Sequence, residues 1–333
     1  MQNLENLGEF KIINLLQEYI DSSDLLGTNE DAYLYNNIHP YIIVNVDTMS
    51  RDSDFLPQQT WKQLGGKLVA ITFSDLVAKG ATPDIFISSL VLEGSMKECE
   101  LKELVAAIQK TSHKYGGKYL GGDLGSSAET VLTGVGLGSI KEGKILTRSG
   151  ANQGDLVCVT GYFGLTSIGL DYLLSPETRK YEAIPDNLLE TSISMLYEPQ
   201  PRYVEGLLLS KHSLATSSID SSDGLAITLH WLAQSSNIGI IVNDLPTHPE
   251  LKSFLDSFDR IIEVTMFGGE EYELIFTVPP SNLEKLEQIF QKNNCQFLII
   301  GECTEPHGVF VSQNKTLTPI QMRGWDAFRK KKD

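Results

Sequence analysis

Short apolar runs alternate with longer segments of helical spacing along almost the whole chain, and this alternation confines the fold to a mixed α/β class. Residues 61–79 predict a long helix closed by Gly80, with Pro83 beyond it as a stop. Residues 85–92 follow as a strand, 101–115 as a second helix, 119–120 as a short strand ending in Gly121-Gly122-Asp123, and 130–140 as another strand. Ahead of them, residues 9–20 carry a helical stripe of Phe10, Ile13, Leu16 and Ile20. Residues 32–35 and 41–46 read as paired strands across Asn36-Asn37, the second delivering Asp47 at its end.

The texture changes near Arg148. Gly154-Asp155 predicts a tight turn and residues 156–160 a fresh buried strand, so the chain divides into domains of residues 1–148 and 149–333. The second half repeats the style, with helices at 165–174, 204–211 and 225–233 and strands at 215–219, 239–242, 273–278 and 297–301. The strand at 215–219 points at Asp220-Ser221-Ser222-Asp223-Gly224.

Asp31, Asp47, Asp75, Asp123, Asp220 and Asp223 each lie at the end of an apolar run or the start of a helix-like one. Oxygen-only ligand sets of this kind suit Mg²⁺, Ca²⁺ or Mn²⁺, and Mg²⁺ commonly bridges one or two carboxylates to substrate phosphates. The net charge of −16 argues against nucleic acid and anionic membranes as partners. It would also repel a phosphate ligand unless cations lay between, so the acidity itself argues for metal. With 333 residues, 41% hydrophobic and 21% charged, the composition is that of a globular chain able to build two cores. Cys99, Cys158, Cys295 and Cys303 are scattered, with no paired spacing, and read as reduced and intracellular. The opening MQNLENLGEF has no basic-then-apolar pattern and no apolar run approaches the ~20 residues that cross a bilayer, so a cytoplasmic protein is expected.

Several nucleotide signatures are missing. Gly65-Gly66-Lys67 and Gly116-Gly117-Lys118 lack the first glycine and the hydroxyl residue of a Walker loop. Gly134-Val135-Gly136-Leu137-Gly138 lies inside an apolar strand pattern, where close backbone packing explains the glycines better than a dinucleotide loop. Each remaining motif has a bland reading beside a functional one. Asp220 to Asp223 could cap a helix; Asp75 sits in an otherwise apolar helix, where a carboxylate is costly to bury without a partner; Gly121-Gly122 could be a turn or a close approach to phosphate.

The order of the motifs is more specific than any one of them. Asp31-Ala32, Asp47-Thr48-Met49, Ser74-Asp75-Leu76, Gly121-Gly122-Asp123, Arg148-Ser149-Gly150-Ala151, Asp220 with Ser222-Asp223-Gly224-Leu225, Gly268-Gly269-Glu270-Glu271-Tyr272-Glu273-Leu274 and Gly324-Trp325-Asp326 run through the chain in sequence. That order resembles the thiamine-monophosphate kinase family, within the group that includes aminoimidazole ribonucleotide synthetase, selenophosphate synthetase and a hydrogenase maturation factor. The resemblance implies a two-domain aminoimidazole ribonucleotide synthetase-like fold of the α/β (α+β) class, with the N-terminal sheets of two subunits pairing in a homodimer and ATP and several Mg²⁺ ions along a cleft. It implies transfer of the ATP γ-phosphate to thiamine monophosphate, giving thiamine diphosphate. Carried over by position, Asp31, Asn45, Val46, Asp47, Asp75, Asp123, Asp220 and Asp223 fall at metal places, Gly122, Asp123, Arg148 and Ser222 at ATP places, and Asp54, Glu270 and Trp325 at substrate places. Asp47, Asp75, Asp123 and Arg148 would be the catalytic set.

Departures are also present. Asn29-Glu30-Asp31-Ala32 stands where the family usually reads Gly-Asp-Asp-Ala, and Val46 replaces a threonine, leaving only its backbone carbonyl as a ligand. Asp54 replaces a histidine before Phe55, Leu124-Gly125 replaces Thr-Thr, and Gly-Gly-Glu-Glu replaces Gly-Gly-Glu-Asp. Such changes fit a divergent branch or a shifted substrate. The alternatives are a related ATP-dependent enzyme of the same group and a noncatalytic nucleotide- or thiamine-phosphate-binding homologue.

Overall fold

The computed structural model describes residues 3–7, 12, 15–21, 41–181, 184–305 and 307–325. Asp31, the strand expected at 32–35 and much of the stripe at 9–20 lie outside the described residues. The chain forms two compact units, one holding the described residues up to Leu76 with Ala81–Lys141, the other Val77–Gly80 with the residues from Glu142 onward.

The first unit contains β1 (Ile42–Ser50), α1 (Trp61–Ala78, except its last two residues), β2 (Thr82–Leu92), α2 (Glu98–Lys114), β3 (Lys118–Ser126) and β4 (Val131–Ser139). Its strands form one sheet in the order β1-β4-β2-β3, antiparallel except for the β2–β3 pair. Alternation along β1 turns Asn45, Asp47 and Met49 to the covered face and Val44, Val46 and Thr48 to the exposed one. The β4 glycines lie on the covered face. A Cβ on Gly134 would come within 2.6 Å of Thr72 Oγ1 and 2.7 Å of Phe86 Cζ, and one on Gly136 within 3.0 Å of Thr72 Cγ2, so α1 packs directly on the strand backbone. Gly65-Gly66-Lys67 is part of α1, and a Cβ on Gly65 would overlap the Leu104 carbonyl of α2, which makes this glycine a helix-packing device. Neither motif is a phosphate loop.

In the second unit, β5 (Leu156–Val159), β6 (Ser217–Ser221), β7 (Gly239–Val242), β8 (Glu273–Val278), β9 (Leu298–Thr304), β10 (Gly308–Gln313) and β11 (Thr316–Pro319) build a sheet in the order β11-β10-β7-β9-β5-β8-β6. Helices α3 (Leu165–Leu174), α4 (Asp186–Tyr197), α5 (Tyr203–Lys211), α6 (Leu225–Ser236), α7 (Phe258–Met266) and α8 (Leu283–Lys292) surround it. Val157, Val159, Ile219 and Ile275 pack with Leu225, Leu229 and Leu232 of α6 in one core, while Cys158, Leu274, Phe276 and Val278 pack with Leu209 of α5 and Leu286 and Phe290 of α8 in another. A third cluster joins Leu165 and Ile168 to Leu188 and Val264. Burial on both faces explains why β8 reads as an apolar run after Glu273, interrupted only by the buried Thr277.

Three strands are longer than their local patterns predict. β1 continues through Asp47, which pairs with Gly134, to Ser50; β3 continues through Gly121-Gly122-Asp123 to Ser126; β6 includes Asp220, paired with Leu274. Asp47 and Asp220 are therefore strand residues and not the residues that follow a strand. Pairing with a neighbour supplies the extra ladder bonds, and no local pattern announces it. No described helix is long and apolar enough to cross a membrane.

Candidate active site

Two acidic constellations emerge, one in each unit. In the first, the alternation of β1 places Asn45 and Asp47 on the face that α1 crosses, and α1 brings Asp75 to the same point. The Asn45 side-chain amide donates to Asp47 Oδ2 at 2.5 Å and to Asp75 Oδ2 at 2.9 Å. Two carboxylates thus share one neutral donor. Asp75, costly to bury alone, has the partner that its setting demands. Val46 points the other way, with 57% of its surface exposed, so only its backbone belongs to this side of the strand.

Asp123 and Gly122 lie on β3, at the opposite edge of the sheet. Three strand spacings separate that edge from β1, about 14 Å, so the Asp123 carboxylate does not join Asn45, Asp47 and Asp75. The β2–β3 register shifts between Phe86 and Ser88, a bulge just before Gly122, and the exposed Asp123 follows it, paired with Ser89. Gly122 has φ +149°, and a Cβ on it would overlap the Ser88 carbonyl, so the bulge requires glycine there. Asp54 ends the short helix Arg51–Asp54 and accepts from the Ser50 amide at 2.7 Å and the Ser53 hydroxyl at 2.5 Å. Among the described residues, no three of His, Cys, Asp and Glu converge on one point.

In the second unit, Asp220 at the end of β6 is only 9% exposed and Asp223 is half-buried. Burial pushes the Asp223 carboxyl above its ordinary range, and the charges of Asp220 and Glu270 push it further, against the Ser222 hydroxyl and the Arg148 charge. Four of the expected site residues, Arg148, Asp220, Asp223 and Glu270, are therefore electrostatic neighbours, with Ser222 hydrogen-bonded among them. The Glu270 and Tyr272 amides donate to the Ser222 and Ser221 carbonyls at 2.7 and 2.8 Å, and the Trp325 amide donates to the Asp223 carbonyl at 3.0 Å. Trp325 is 51% exposed beside this segment. Arg148 is exposed, its guanidinium carbon 5.4 Å from the Trp231 ring centroid on α6. Helix α6 begins after Gly224 without any side-chain cap, so Ser222 and Asp223 are not spent on capping it.

Sequence reasoning missed the acids beneath this surface. Glu273 is buried and held by Arg202, whose Nε donates at 2.6 Å and whose Nη2 donates to the other carboxylate oxygen; the Thr160 hydroxyl adds a third bond at 2.5 Å. Glu271, 5% exposed, accepts from the Thr166 hydroxyl at 2.7 Å, and burial pushes its carboxyl up to about 8. The available signal was the spacing of acids in Glu270-Glu271-Tyr272-Glu273, too many for a solvated turn leading into a buried strand.

Residues 29–140 match the family model for the N-terminal domain of AIR synthase related proteins, and residues 152–313 match that for the C-terminal domain. The thiamine-monophosphate kinase of Pyrococcus horikoshii is 30% identical over 325 residues, 97% of each chain. The chain belongs to the thiamine-monophosphate kinase family. Among solved structures, the thiamine-monophosphate kinase from Stenotrophomonas maltophilia superimposes with a TM-score of 0.80 at 26% identity, covering 92% of this chain and 96% of that one. A kinase described as AaThiL complexed with AMPPCP and TMP superimposes with a TM-score of 0.75 at 25% identity, covering 98% and 99%. The family assignment thus spans both units and both acidic constellations of this thiamine-monophosphate kinase family member.

Proposed function

We propose that this chain is an ATP-dependent kinase that phosphorylates thiamine monophosphate to thiamine diphosphate. The observation that carries the reading is the Asn45–Asp47–Asp75 constellation, set in a chain that aligns along its length with thiamine-monophosphate kinases. The acceptor is a phosphate monoester already ionised near neutral pH, so direct in-line attack on the γ-phosphorus needs no side-chain base. What the protein must supply is neutralisation and alignment of two polyanions.

The residues fit Mg²⁺ by their chemistry. All the donors are oxygens, and the crowding of Asp223 by Asp220 and Glu270 is the like-charge arrangement that a cation relieves. Asp47 and Asp75, with Asn45, the Val46 carbonyl and Asp31, would hold metal on the first unit, Asp123 on its far edge, and Asp220 and Asp223 on the second. Bound Mg²⁺ supplies charge neutralisation between carboxylates and phosphates. Gly122 lets backbone approach a nucleotide phosphate, Ser222 offers a hydroxyl, and Arg148 adds a positive charge beside the acids of the second unit. Trp325 offers an aromatic face and Glu270 a carboxylate for the cationic thiamine ring system; Asp54 would act there only by leaving its local bonds.

The exposed face of the first sheet, with Val44 58% and Val46 57% exposed, supports pairing of two subunits through it. Four free cysteines support a reducing, cytoplasmic setting. The decisive experiment incubates purified protein with ATP, Mg²⁺ and thiamine monophosphate and follows thiamine diphosphate by chromatography. Product formation lost on chelation is expected, and its absence at any Mg²⁺ concentration refutes the reading. Asp47→Asn should lower turnover on the order of 10²-fold or more and leave the melting temperature unchanged or raised, since one of two adjacent like charges is gone. An unfolded Asp47→Asn protein would show instead that this aspartate is structural.

A further inference from the structure

The segment that carries Glu270 is held in a costly shape. Glu270 and Tyr272 both have left-handed backbones, with φ of 70° and 53°, and each such residue costs on the order of 1–3 kcal/mol unless its surroundings over-determine it. On one side the surroundings are plain: the two amides donate to the carbonyls of Ser222 and Ser221. On the other side stands Glu271. Its carboxyl accepts from the Thr166 hydroxyl at 2.7 Å, and the backbone N–H groups of Gly164 and of Glu271 itself favour its charged form against the effect of burial. Gly164 is the residue before α3, a helix with no side-chain cap and no acid in its first turn. Glu271 therefore places, from a distant loop, a carboxyl against the first turn of α3, which has no acid of its own. The second oxygen of Glu271 is buried with no hydrogen-bond partner among the described residues. A chain selected for stability alone would not keep a buried acid with an unsatisfied oxygen, because each such group costs about 1–3 kcal/mol.

We propose that Glu271 is a positioning residue, tying the Glu270 loop to the first turn of α3 and thereby fixing Glu270 for the acceptor. The inference rests on the reading of Glu270 as an acceptor contact. A Glu271 that served only to cap α3 would affect stability and leave acceptor binding alone, so the two roles separate by experiment.

Glu271→Ala, Glu271→Gln and Thr166→Val are compared with wild type in steady-state kinetics and in amide hydrogen exchange of the peptide spanning residues 267–274. Positioning predicts that Glu271→Ala raises KM for thiamine monophosphate at least tenfold while KM for ATP changes less than twofold. It predicts that Glu271→Gln, which keeps the acceptor for Thr166, stays within about threefold of wild type. It further predicts at least tenfold faster exchange at the Glu270 and Tyr272 amides in Glu271→Ala, little change in Glu271→Gln, and an intermediate response in Thr166→Val. Unchanged acceptor KM in a folded Glu271→Ala protein, or equal losses in the Ala and Gln variants, overturns the proposal. If Glu271→Ala fails to fold, Thr166→Val decides it by the same two readouts. The exchange measurement needs no turnover, so a wild-type protein inactive on thiamine monophosphate would refute the kinase reading while exchange still tests the tie itself.

Discussion

Replacing Glu271 by Gln should make this protein more stable, and by an amount that depends on pH. Burial pushes the Glu271 carboxyl up to about 8 from an ordinary 4.5, with the Glu273 charge adding to the same effect. Below pH 4.5 the acid is protonated in folded and unfolded chains alike, and its full contribution to stability is present. Between 4.5 and 8 the unfolded chain releases the proton while the folded chain keeps it, so stability falls by about 1.4 kcal/mol for each pH unit. At pH 7 the loss reaches about 3 kcal/mol, a large share of the 5–15 kcal/mol by which domains are ordinarily stable. Glutamine has nearly the same volume, does not titrate and still accepts from Thr166. Urea melts followed by circular dichroism at several pH values between 4.5 and 8 should show the two proteins alike at the acid end and Glu271→Gln increasingly ahead as pH rises. All other titrating groups are common to both proteins and cancel in the difference. A difference that is flat with pH, or that shrinks as pH rises, refutes the argument.

Arg202→Met should destabilise the fold by about 3–5 kcal/mol near neutral pH, because it strands the buried Glu273 carboxylate; differential scanning calorimetry checks this, and a double variant with Glu273→Leu should recover much of the loss. Gly122→Ala should cost about 1–3 kcal/mol or more, since its Cβ would meet the fixed Ser88 carbonyl, and urea midpoints measure it. Val46→Lys, on the exposed face of β1, should shift a dimer toward monomer in sedimentation at micromolar concentration, with the isolated fold unaffected.

Much of the architecture was legible where it depends on local pattern. The helix at 61–79 matches Trp61–Ala78, and the strands at 239–242 and 273–278 match β7 and β8 to the residue. The glycines of β4 were legible as packing because they alternate within an apolar run. What escaped was set by partners distant in sequence. β1 and β6 run on through Asp47 and Asp220 because β4 and β8 lie beside them, and α4 follows a proline-bounded stretch that carries little apolar signal. In the candidate site, single aspartates stand out by their chemistry, so Asp47, Asp75, Asp220 and Asp223 could be named from the chain. Their grouping could not: the bridging role of Asn45 depends on α1, 30 residues away, and the Arg202–Glu273 pair closes over 71 residues. Glu271 was invisible for the same reason, since Thr166 lies 105 residues earlier.

Because Gly134 and Gly136 contribute no side chain to the covered face of β4, the spacing of that layer is set from one side only, by Thr72, Phe73 and Leu76 of α1 and by Phe86 of β2. An enlargement at either glycine has nothing on the strand to shrink in exchange. Genetic suppressors of Gly134→Ala should therefore map to Thr72 or Phe86 and be smaller residues, while changes at Val135 and Leu137, on the opposite face beside Val46 and Val44, should not rescue it. The strand would thus leave two different mutational records on its two faces, one limited by the side chains packed on its glycines and one by the surface that Val135 and Leu137 share with Val46 and Val44.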